Sequence, residues 1–339
     1  MNSKRIGVDL KNEGTGNDLT SQDILELARQ AEGHGFDSVW LNEDIGKDSV
    51  ALLGAMSAVT KSIGLGTAII NVYSRSPLQI AMAIGTLDEL SRGRASLGLS
   101  IGHHPWNDLG HGIPLEAPRA RLQEYVDFIR KALSGESFTH NGRFFSGVRT
   151  RLAFRPPRPD LPIYIGATGP RMVALAGEVS DGLITNVVTP DYIANFQAGQ
   201  LRSAAQQAGR DPNKLELIAI VTCCPAERRE EALAHARCTF MHRFRSNPVR
   251  MIQTQRPEFR DELLALKDLL DRGRAEHAQE EVSEQLATSF IALGSGKELW
   301  GTMDRYFAVG CTRVAVAAYP RDRASVERLL KALATPPGN

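Results

Sequence analysis

Residues Ile63–His104, IGLGTAIINVYSRSPLQIAMAIGTLDELSRGRASLGLSIGHH, decide the fold class. They open with an apolar run over Ile63–Ile70, turn, and enter a helical pattern near Pro77, where a proline in the first turn removes no hydrogen bond that the helix would use. Gly93 ends this helix, and a second apolar run begins at Ala95. Strand, helix and strand in so short a stretch form one βαβ unit, which predicts a parallel sheet covered by helices.

The same alternation of apolar runs and amphipathic helical patterns continues along the chain. Eight runs are expected to be strands, namely Arg5–Leu10, Ser38–Leu41, Ile63–Ile70, Ala95–Leu99, Ile163–Gly166, Gly182–Thr185, Leu215–Thr222 and Arg313–Ala318. Eight βα units that close on themselves use all of these runs. A doubly wound sheet is the alternative, but no G-x-G-x-x-G follows the first strand. The predicted fold class is α/β, a (β/α)8 TIM barrel with residues 1–339 as a single domain.

Two segments interrupt the barrel pattern, one after the fourth strand and one after the seventh. Residues 136–160 contain an Asn141-Gly142 turn between short aromatic runs, which predicts a β-hairpin insertion. Residues 223–290 are read as a helical insertion that is rich in arginine (Arg243, Arg245, Arg250, Arg256 and Arg260). Two interpretations of these arginines stay open: they contact an anionic substrate or cofactor group, or they lie on a solvated helix face.

Composition excludes several classes of function. The chain has 339 residues, 42% of them hydrophobic and 23% charged, and a net charge of +1, so neither nucleic acid nor an anionic membrane is an expected partner. The first ten residues have too short an apolar stretch for a signal peptide, so none is expected, and no run reaches the roughly 18 apolar residues of a membrane span. The four cysteines have no C-x-x-C spacing and are expected to be buried thiols. A cytoplasmic protein that acts on a small molecule is the expectation.

In a TIM barrel the site is built by the loops that follow the strands. Gly166-Ala167-Thr168-Gly169-Pro170 ends the fifth predicted strand and begins a helix. Glycine lets backbone N–H groups approach an anion, and the helix N-terminus adds positive potential. This turn is a candidate phosphate site, with a tight turn that binds no ligand as the alternative.

Other loop residues are open to several interpretations. Glu43-Asp44 follows the second strand and offers a carboxylate for acid–base work or for a hydrogen bond to a cofactor ring. Adjacent histidines such as His103-His104 do not easily chelate one ion, so no metal is expected. Gly98–Gly102 matches the G-x-S-x-G of hydrolases, but a loop rather than a helix follows its serine, Ser100.

Taken together, these segments resemble the luciferase-like flavin and deazaflavin oxidoreductase superfamily. The likeness is greatest to its coenzyme F420-dependent branch, which includes methylenetetrahydromethanopterin reductase and F420-dependent glucose-6-phosphate dehydrogenase. The order and spacing of four segments carry the resemblance: GFDSVWLNED at 35–44, GLGTAIINVYSRSP at 64–77, LDELSRGR at 87–94 and PIYIGATGP at 162–170.

The resemblance implies a bound coenzyme F420. A non-proline cis peptide, expected at Ala68–Ile69, would support the ring from behind, and the Gly166–Pro170 turn would bind the cofactor phosphate. The implied cofactor-binding residues are Ala68, Ile69, Asn71, Ile101, Gly102, Gly166, Ala167, Thr168, Gly169 and Pro170. The implied catalytic residues are Glu43, Asp44 and His103 near the ring and Glu13 on the substrate side.

The implied reaction is hydride transfer between the deazaflavin C5 and a small organic substrate, with Glu43, Asp44 or His103 handling the proton. Sugar-phosphate dehydrogenases of the branch have Asp-His where this chain has Glu43-Asp44, which argues against a sugar-phosphate substrate. Barrels of this family commonly dimerise, so a homodimer is expected. The main alternative is an FMN-dependent monooxygenase that uses reduced flavin and oxygen. A barrel that binds a flavin-like ligand without turnover and a serine hydrolase are further alternatives.

Overall fold

The computed structural model describes residues 4–10, 19–43, 45–102, 107, 110–246, 248–254 and 257–334. Its strands are β1 Arg5–Asp9, β2 Ser38–Leu41, β3 Gly64–Thr67, β4 Ile70–Asn71, β5 Ala95–Ser100, β6 Phe138–Asn141, β7 Ser146–Thr150, β8 Ile163–Gly166, β9 Gly182–Asn186, β10 Glu216–Pro225, β11 Ile291–Gly294 and β12 Arg313–Ala318. Its helices are α1 Ser21–Gly33, α2 Ser49–Val59, α3 Pro77–Ser91, α4 Pro118–Leu133, α5 Pro170–Val179, α6 Pro190–Tyr192, α7 Ala198–Gln207, α8 Arg229–Ser246, α9 Pro248–Thr254, α10 Pro257–Asp271, α11 Ala275–Glu280, α12 Glu284–Phe290, α13 Gly296–Ala308 and α14 Arg323–Leu333.

Eight parallel strands close into a barrel in the order β1, β2, β3, β5, β8, β9, β10, β12. The ring closes where β12 pairs with β1, with Arg5 opposite Arg313 and Val8 opposite Val316. Helices cover the outside of the barrel, as the connections between parallel strands require. The predicted (β/α)8 barrel is confirmed. None of the described helices is both long and apolar enough to cross a membrane.

The structure differs from the sequence prediction at the third and seventh strands. A cis peptide at Ala68–Ile69 divides the third run into β3 and β4, and β4 pairs with β5 rather than continuing along β2. The seventh strand runs on to Pro225, so the first residues expected in the helical insertion are strand. Strand β10 extends this far because it pairs with β11, a strand that the sequence analysis did not predict, since the surrounding residues have a helical pattern. It pairs in parallel with residues 222–225 of β10.

The hairpin β6–β7 is antiparallel and packs on α4. The Glu124 carboxylate on α4 accepts hydrogen bonds from the backbone N–H groups of Arg143, Phe144 and Phe145 in the turn. A side chain at Gly142 would collide with this carboxylate, because a Cβ there would lie 1.9 Å from Oε1 of Glu124. The turn is therefore tied to α4, and Arg121 of that helix lies between Phe144 and Phe145 of the turn and Tyr73 of the loop after β4.

The barrel interior is organised around Trp40, whose side chain is 1% exposed. The residues that pack with it inside the barrel are Ala68, Tyr164, Ile184, Ile218, Ile220, Ala315 and Ala317. Two glycines of neighbouring strands leave room for the indole. A Cβ on Gly66 would lie 2.4 Å from the Trp40 ring, and one on Gly7 would lie 2.5 Å from Ser38 Oγ, which accepts the indole N–H.

A network of charges lies at the amino-terminal end of the barrel. Arg313 binds Asp37 at 2.8 Å and lies over the Trp40 ring, and Arg5 binds Glu216 at 2.7 Å. The Tyr164 hydroxyl donates to the same glutamate at 2.9 Å. Burial would raise the pKa of Glu216, but Arg313 and Arg5 outweigh burial and lower it. This network joins the starts of β1, β10 and β12 at the end of the barrel opposite the site.

Glu32 at the end of α1 generates a pH-dependent prediction. Its carboxylate accepts the N–H groups of Lys61, Ser62 and Ile63 at 2.8, 2.6 and 2.9 Å, which fixes the chain that enters β3. Burial would raise the pKa of Glu32, but these hydrogen bonds lower it from 4.5 to about 2. Because the folded state has the lower pKa, the stabilisation is complete above pH 4.5 and is lost as the pH falls toward 2.

Glu32→Gln should lower the free energy of unfolding by roughly 1–3 kcal/mol at pH 7, as expected for hydrogen bonds to a charged group. The difference from the wild type should shrink below pH 5, measured by urea unfolding at a series of pH values. Glu26→Gln on the same helix is the control, because Glu26 forms an exposed ion pair with Arg29 and its replacement should lower the free energy of unfolding by less than about 1 kcal/mol. A Glu32 difference that does not change with pH would contradict this account.

The packing of Trp40 generates a second prediction. Gly66→Ala should destabilise the fold by about 1–3 kcal/mol or more, because the new methyl group overlaps the buried indole. Gly301→Ala in α13 is the matched control: nothing lies within 4 Å of a Cβ there, and alanine should add roughly 0.5–1 kcal/mol. Adding Trp40→Phe to Gly66→Ala should cost less than the sum of the two single changes. Equal thermal stability of the two alanine variants would refute the close packing.

Candidate functional site

The carboxyl ends of the barrel strands bring together residues from five loops. In the described part of the chain these are Asn42-Glu43 after β2, Ala68–Asn71 at the end of β3 and in β4, Ile101-Gly102 after β5, Ala167–Pro170 after β8 and Asn186-Val187 at the end of β9. Three of the four expected catalytic residues, Glu13, Asp44 and His103, lie outside the described residues, and their roles stay predictions.

Ile69 forms a platform on top of the barrel interior. The Ala68–Ile69 peptide bond is cis, as the resemblance implied. The residues on both sides of this peptide bond are hydrogen-bonded to the end of β2 and the residues after it. Ala68 N–H donates to Leu41 O at 2.7 Å, and Ile69 O accepts Glu43 N–H at 3.0 Å. The Ile69 side chain packs on the layer that contains Trp40 and Ala68. A Cβ on Gly166 would lie 2.7 Å from Ile69 Cγ2, so the β8 end approaches the platform closely.

Asn71 fixes the loop that follows β5. Its amide Nδ2 donates to Asn107 Oδ1 at 2.5 Å, and its Oδ1 accepts the N–H of Tyr73. Asn107 in turn donates to the carbonyl of Ile101 at 2.8 Å. Gly102 has φ 69°, and a Cβ there would lie 2.5 Å from the Asn71 amide. Glycine is therefore required at 102 for both its backbone conformation and the closeness of Asn71.

Glu43 is held by a bidentate ion pair. Arg75 Nε and Nη2 donate to its two carboxylate oxygens at 2.9 and 2.7 Å, and Ser49 Oγ donates to Oε2 at 3.2 Å. The Glu43 side chain is only 10% exposed. Arg75 also binds Asp48, which caps α2. Burial would raise the pKa of Asp48, but the Ala51 N–H and Arg75 lower it on balance.

This pairing positions Glu43 at the site and assigns Arg75 a role that the sequence analysis did not give it. The signal was available, since Arg75 belongs to the same short motif as Asn71 and Tyr73. A buried, two-pronged Arg–carboxylate pair is strong and directional, so it fixes the loop after β2 against the start of α3. The expected acid–base role of Glu43 stays a prediction.

The turn between β8 and α5 has the groups that an anion needs. The N–H groups of Thr168, Gly169 and Arg171 donate no hydrogen bond to any other described residue. Thr168 is 8% exposed, and its Oγ1 has no hydrogen-bond partner within the described part of the chain. Its carbonyl is held by the Tyr192 hydroxyl and the Gln197 amide, both at 3.2 Å. These three N–H groups and the hydroxyl lie at the N-terminus of a helix, and a phosphate there would accept hydrogen bonds from all of them.

Two alternative sites gain no support from the geometry. The Ser100 hydroxyl donates to the carbonyl of Gly166 at 2.8 Å, and Ile101 and Gly102, which follow it directly, are not helical, so the G-x-S-x-G match does not form a nucleophile elbow. His103 and His104 lie outside the described residues, among which no group of three or more potential metal ligands occurs.

Comparison with known proteins identifies the family. A family model described as luciferase-like monooxygenase matches residues 5–313. The chain belongs to the luciferase-like monooxygenase family. Among solved structures of similar fold is the coenzyme F420-dependent tetrahydromethanopterin reductase from Methanopyrus kandleri, with a TM-score of 0.82 over 97% of this chain and 98% of that chain. At 22% identity this likeness shows the fold.

Curated relatives within the luciferase-like family are similar over part of their length. The 5,10-methylenetetrahydromethanopterin reductase of Methanolobus tindarius is 38% identical over 199 residues, which cover 58% of this chain and 59% of the relative. The F420-dependent glucose-6-phosphate dehydrogenase of Nakamurella multipartita is 32% identical over 229 residues, 63% of this chain and 67% of the relative. The match to the first of these relatives thus spans less than two thirds of its length.

The structure of this luciferase-like protein also brings together residues that the sequence analysis missed. A small cavity of about 10 Å³, with room for about one water molecule, lies between the ends of β9 and β10 and the helical insertion. Its polar lining consists of Asn186, Thr222 and Arg243. Arg243 was named among the arginines of the insertion, but its position was open. Asn186 and Thr222 carried no local motif, because only the barrel closure places them opposite Arg243.

Proposed function

We propose that this protein is a coenzyme F420-dependent oxidoreductase that transfers a hydride between the deazaflavin ring and a small organic substrate at the barrel mouth. The observation that carries the proposal is the β8–α5 turn beside the Ile69 platform. Three backbone N–H groups and the Thr168 hydroxyl of this turn have no acceptor among the described residues. The names of the two relatives and of the Methanopyrus structure support the choice of this cofactor and of redox chemistry.

The residues present fit such a cofactor. Thr168, Gly169 and Arg171 would hold its phosphate through hydroxyl and N–H groups, and Ile69 would support one face of its ring. Asn71 and Gly102 would border the ring, because the hydrogen bonds of Asn71 fix that loop in place. Glu43, ordered by Arg75, would lie beside the ring edge.

Chemically, the bound cofactor supplies a carbon centre that accepts or donates a hydride. The protein's contribution is to hold the substrate carbon in contact with that centre and to keep the two aligned. A platform fixed by the packed barrel interior suits this role, since it does not have to reorganise when the ligand binds. Glu43, Asp44 or His103 would give or take the accompanying proton, and Glu13 would face the substrate.

An FMN-dependent monooxygenase on the same barrel is the less favoured function, because the named relatives include an F420-dependent enzyme. The phosphate turn alone does not discriminate, since both cofactors carry a phosphate. The protein's preference between the two cofactors must therefore come from its contacts with the ring and with the rest of the cofactor. A direct comparison of coenzyme F420 and FMN binding tests it.

We expect the apoprotein to bind oxidised coenzyme F420 at least tenfold more tightly than FMN in equilibrium fluorescence titrations. Thr168→Val should weaken F420 binding by about 3- to 30-fold, the effect of one hydrogen bond of roughly 0.5–2 kcal/mol. The melting temperature of the apoprotein should not fall, because the buried hydroxyl has no hydrogen bond within the described residues. Tighter binding of FMN, or unchanged F420 affinity in Thr168→Val, would count against the proposal.

We also propose that the protein is a homodimer that buries the outer faces of α2 and α3. Helix α2 carries no charged residue, although Ala51, Ala55, Ala58 and Val59 face outward. On the neighbouring α3, Met82 and Leu90 are 51% and 58% exposed. A solvent-facing helix normally carries charge. A second copy related by a twofold axis would place like apolar faces together without repulsion.

Ala55→Glu should convert the dimer into a monomer, measured by light scattering after size-exclusion chromatography, because it puts a carboxylate in the centre of this face. Ala234→Glu is the control, since Ala234 is an exposed alanine on α8, away from α2 and α3. A monomeric wild type, or a dimer that survives Ala55→Glu, would refute this interface.

A further inference from the structure

The segment between α6 and α7 departs from ordinary α-helical geometry. Residues Ile193–Gln197 form a π-helical turn, in which the N–H of Ala198 donates to the carbonyl of Ile193, five residues earlier. In an α-helix, side chains five positions apart point about 140° away from each other. The i→i+5 pattern of a π-helix brings them close to one line instead, and such turns are frequent at functional sites. Tyr192 and Gln197 are five positions apart.

Tyr192 and Gln197 bind the same atom of the turn between β8 and α5. The Tyr192 hydroxyl and the Gln197 Nε2 both donate to the carbonyl oxygen of Thr168, each at 3.2 Å. A carbonyl oxygen has two lone pairs, so it can accept both hydrogen bonds at once. The π-helical turn thus allows two side chains from the connection after β9 to reach one carbonyl group in the proposed phosphate site.

These two hydrogen bonds determine the direction of the Gly169 N–H. The Thr168–Gly169 peptide is trans, so its C=O and N–H groups point in opposite directions. Because the C=O group points toward Tyr192 and Gln197, the N–H group points away from them. A Cβ on Gly169 would meet nothing within 4 Å, so the turn leaves open space at this residue. A ligand in that space would meet a donor that no described residue uses.

The backbone of the turn does not fix this orientation by itself. Gly169 has φ −82° and ψ 154°, but glycine also adopts positive φ at little cost. The Thr168–Gly169 peptide could therefore rotate until its oxygen, rather than its N–H, faced the ligand. No described side chain caps α5. An oxygen in that place would repel a phosphate, so contacts from outside the turn have to keep the donor in position.

Gln197 is buried at a cost that its bond to Thr168 explains. The residue is 1% exposed, and its Oε1 has no hydrogen-bond partner in the part of the chain that the structure describes. Buried polar atoms without partners are destabilising and rare. An apolar side chain of similar length would avoid this cost, but it could not donate to the Thr168 carbonyl. The glutamine therefore favours the orientation of the turn over the stability of the fold.

We propose that Gln197 and Tyr192 are positioning residues for the phosphate of the cofactor. They hold the Thr168 carbonyl turned away from the ligand, which directs the Gly169 N–H at the phosphate. Both act through one peptide group rather than by touching the phosphate. The inference rests on the proposed function for the presence of a phosphate-bearing cofactor.

The test uses two pairs of probes whose members differ only by a phosphate. One pair is the ribityl deazaflavin of coenzyme F420 with and without a 5′-phosphate, and the other is FMN and riboflavin. Fluorescence titration of the apoprotein gives the phosphate ratio, which is the affinity for the phosphorylated member divided by the affinity for the other member. The wild type should have a phosphate ratio of at least 100 in the pair that it binds more tightly.

The double variant Tyr192→Phe/Gln197→Met should have a phosphate ratio lower by at least about tenfold, the effect of losing one hydrogen bond to a charged group. Its affinity for the unphosphorylated probe should stay the same, and the two single variants should lie in between. Gln197→Met alone should keep the melting temperature of the apoprotein close to that of the wild type, since the unpartnered Oε1 is removed together with the donor.

Gln206→Met is the matched control, because Gln206 is an exposed glutamine on α7 and its replacement should not change the ratio. A merely structural role would lower the affinity for both members of a pair equally. That result, or an unchanged phosphate ratio in the double variant, would overturn the proposal. So would a wild type that gains nothing from the phosphate in either pair, including one that binds no probe.

These outcomes are separable from those of the proposed function. Tighter binding of FMN than of the deazaflavin phosphate, with a phosphate ratio that falls in the double variant, would refute coenzyme F420 and leave the positioning role standing. Tight binding of coenzyme F420 with an unchanged ratio would refute the positioning role alone.

Discussion

The indole of Trp40 is the constraint on which the rest of the barrel depends. It occupies the interior at a level where Gly7 and Gly66 provide the space that side chains would otherwise fill. Arg313 lies below it, Ala68 packs in the same layer, and Ile69 packs on that layer. Because packed interiors leave little free volume, the height of the Ile69 platform follows from the packing beneath it. The site is therefore positioned by the core rather than by the loops alone.

Ion pairs of Arg75 fix the loops around the barrel mouth. Arg75 connects the Glu43 carboxylate after β2 with the Asp48 cap of α2, and it precedes Ser76, which caps α3. One guanidinium thus joins three elements that surround the expected ring position. Glu43, which the sequence analysis named for possible acid–base chemistry, is bound to the guanidinium of Arg75. Removing Arg75 would leave a nearly buried carboxylate without compensation, which is far more costly than losing an exposed pair.

The sequence was sufficient for the barrel because each strand is a short, almost wholly apolar run, and periodicity detects such runs well. It failed at β11, since Ile291–Gly294 is only four residues long and follows the helical residues of α12 directly. The local sequence likewise indicated the β8–α5 turn, and the resemblance to the family implied the cis peptide. They did not indicate the partners of Arg75 or the cavity, because Glu43 and Thr222 are distant in sequence from the arginines that bind them. Such contacts follow from barrel closure and have no local signature.

The expected cofactor surface and the cavity under the insertion are built from different sections of the chain. The platform, the Asn71 loop and the phosphate turn come from β2 to α5, whereas the cavity comes from β9, β10 and the insertion. The contacts that attach the insertion to the barrel include the β11–β10 pairing, the Arg243–Thr222 hydrogen bond and the contact of Cys238 Sγ with the Tyr319 hydroxyl. The first two lie on β10, next to Ile220, which the cavity shares with the layer under the platform. Side chains on α8 and α12 can therefore change the shape and charge of the cavity while the surface that would carry the cofactor stays the same.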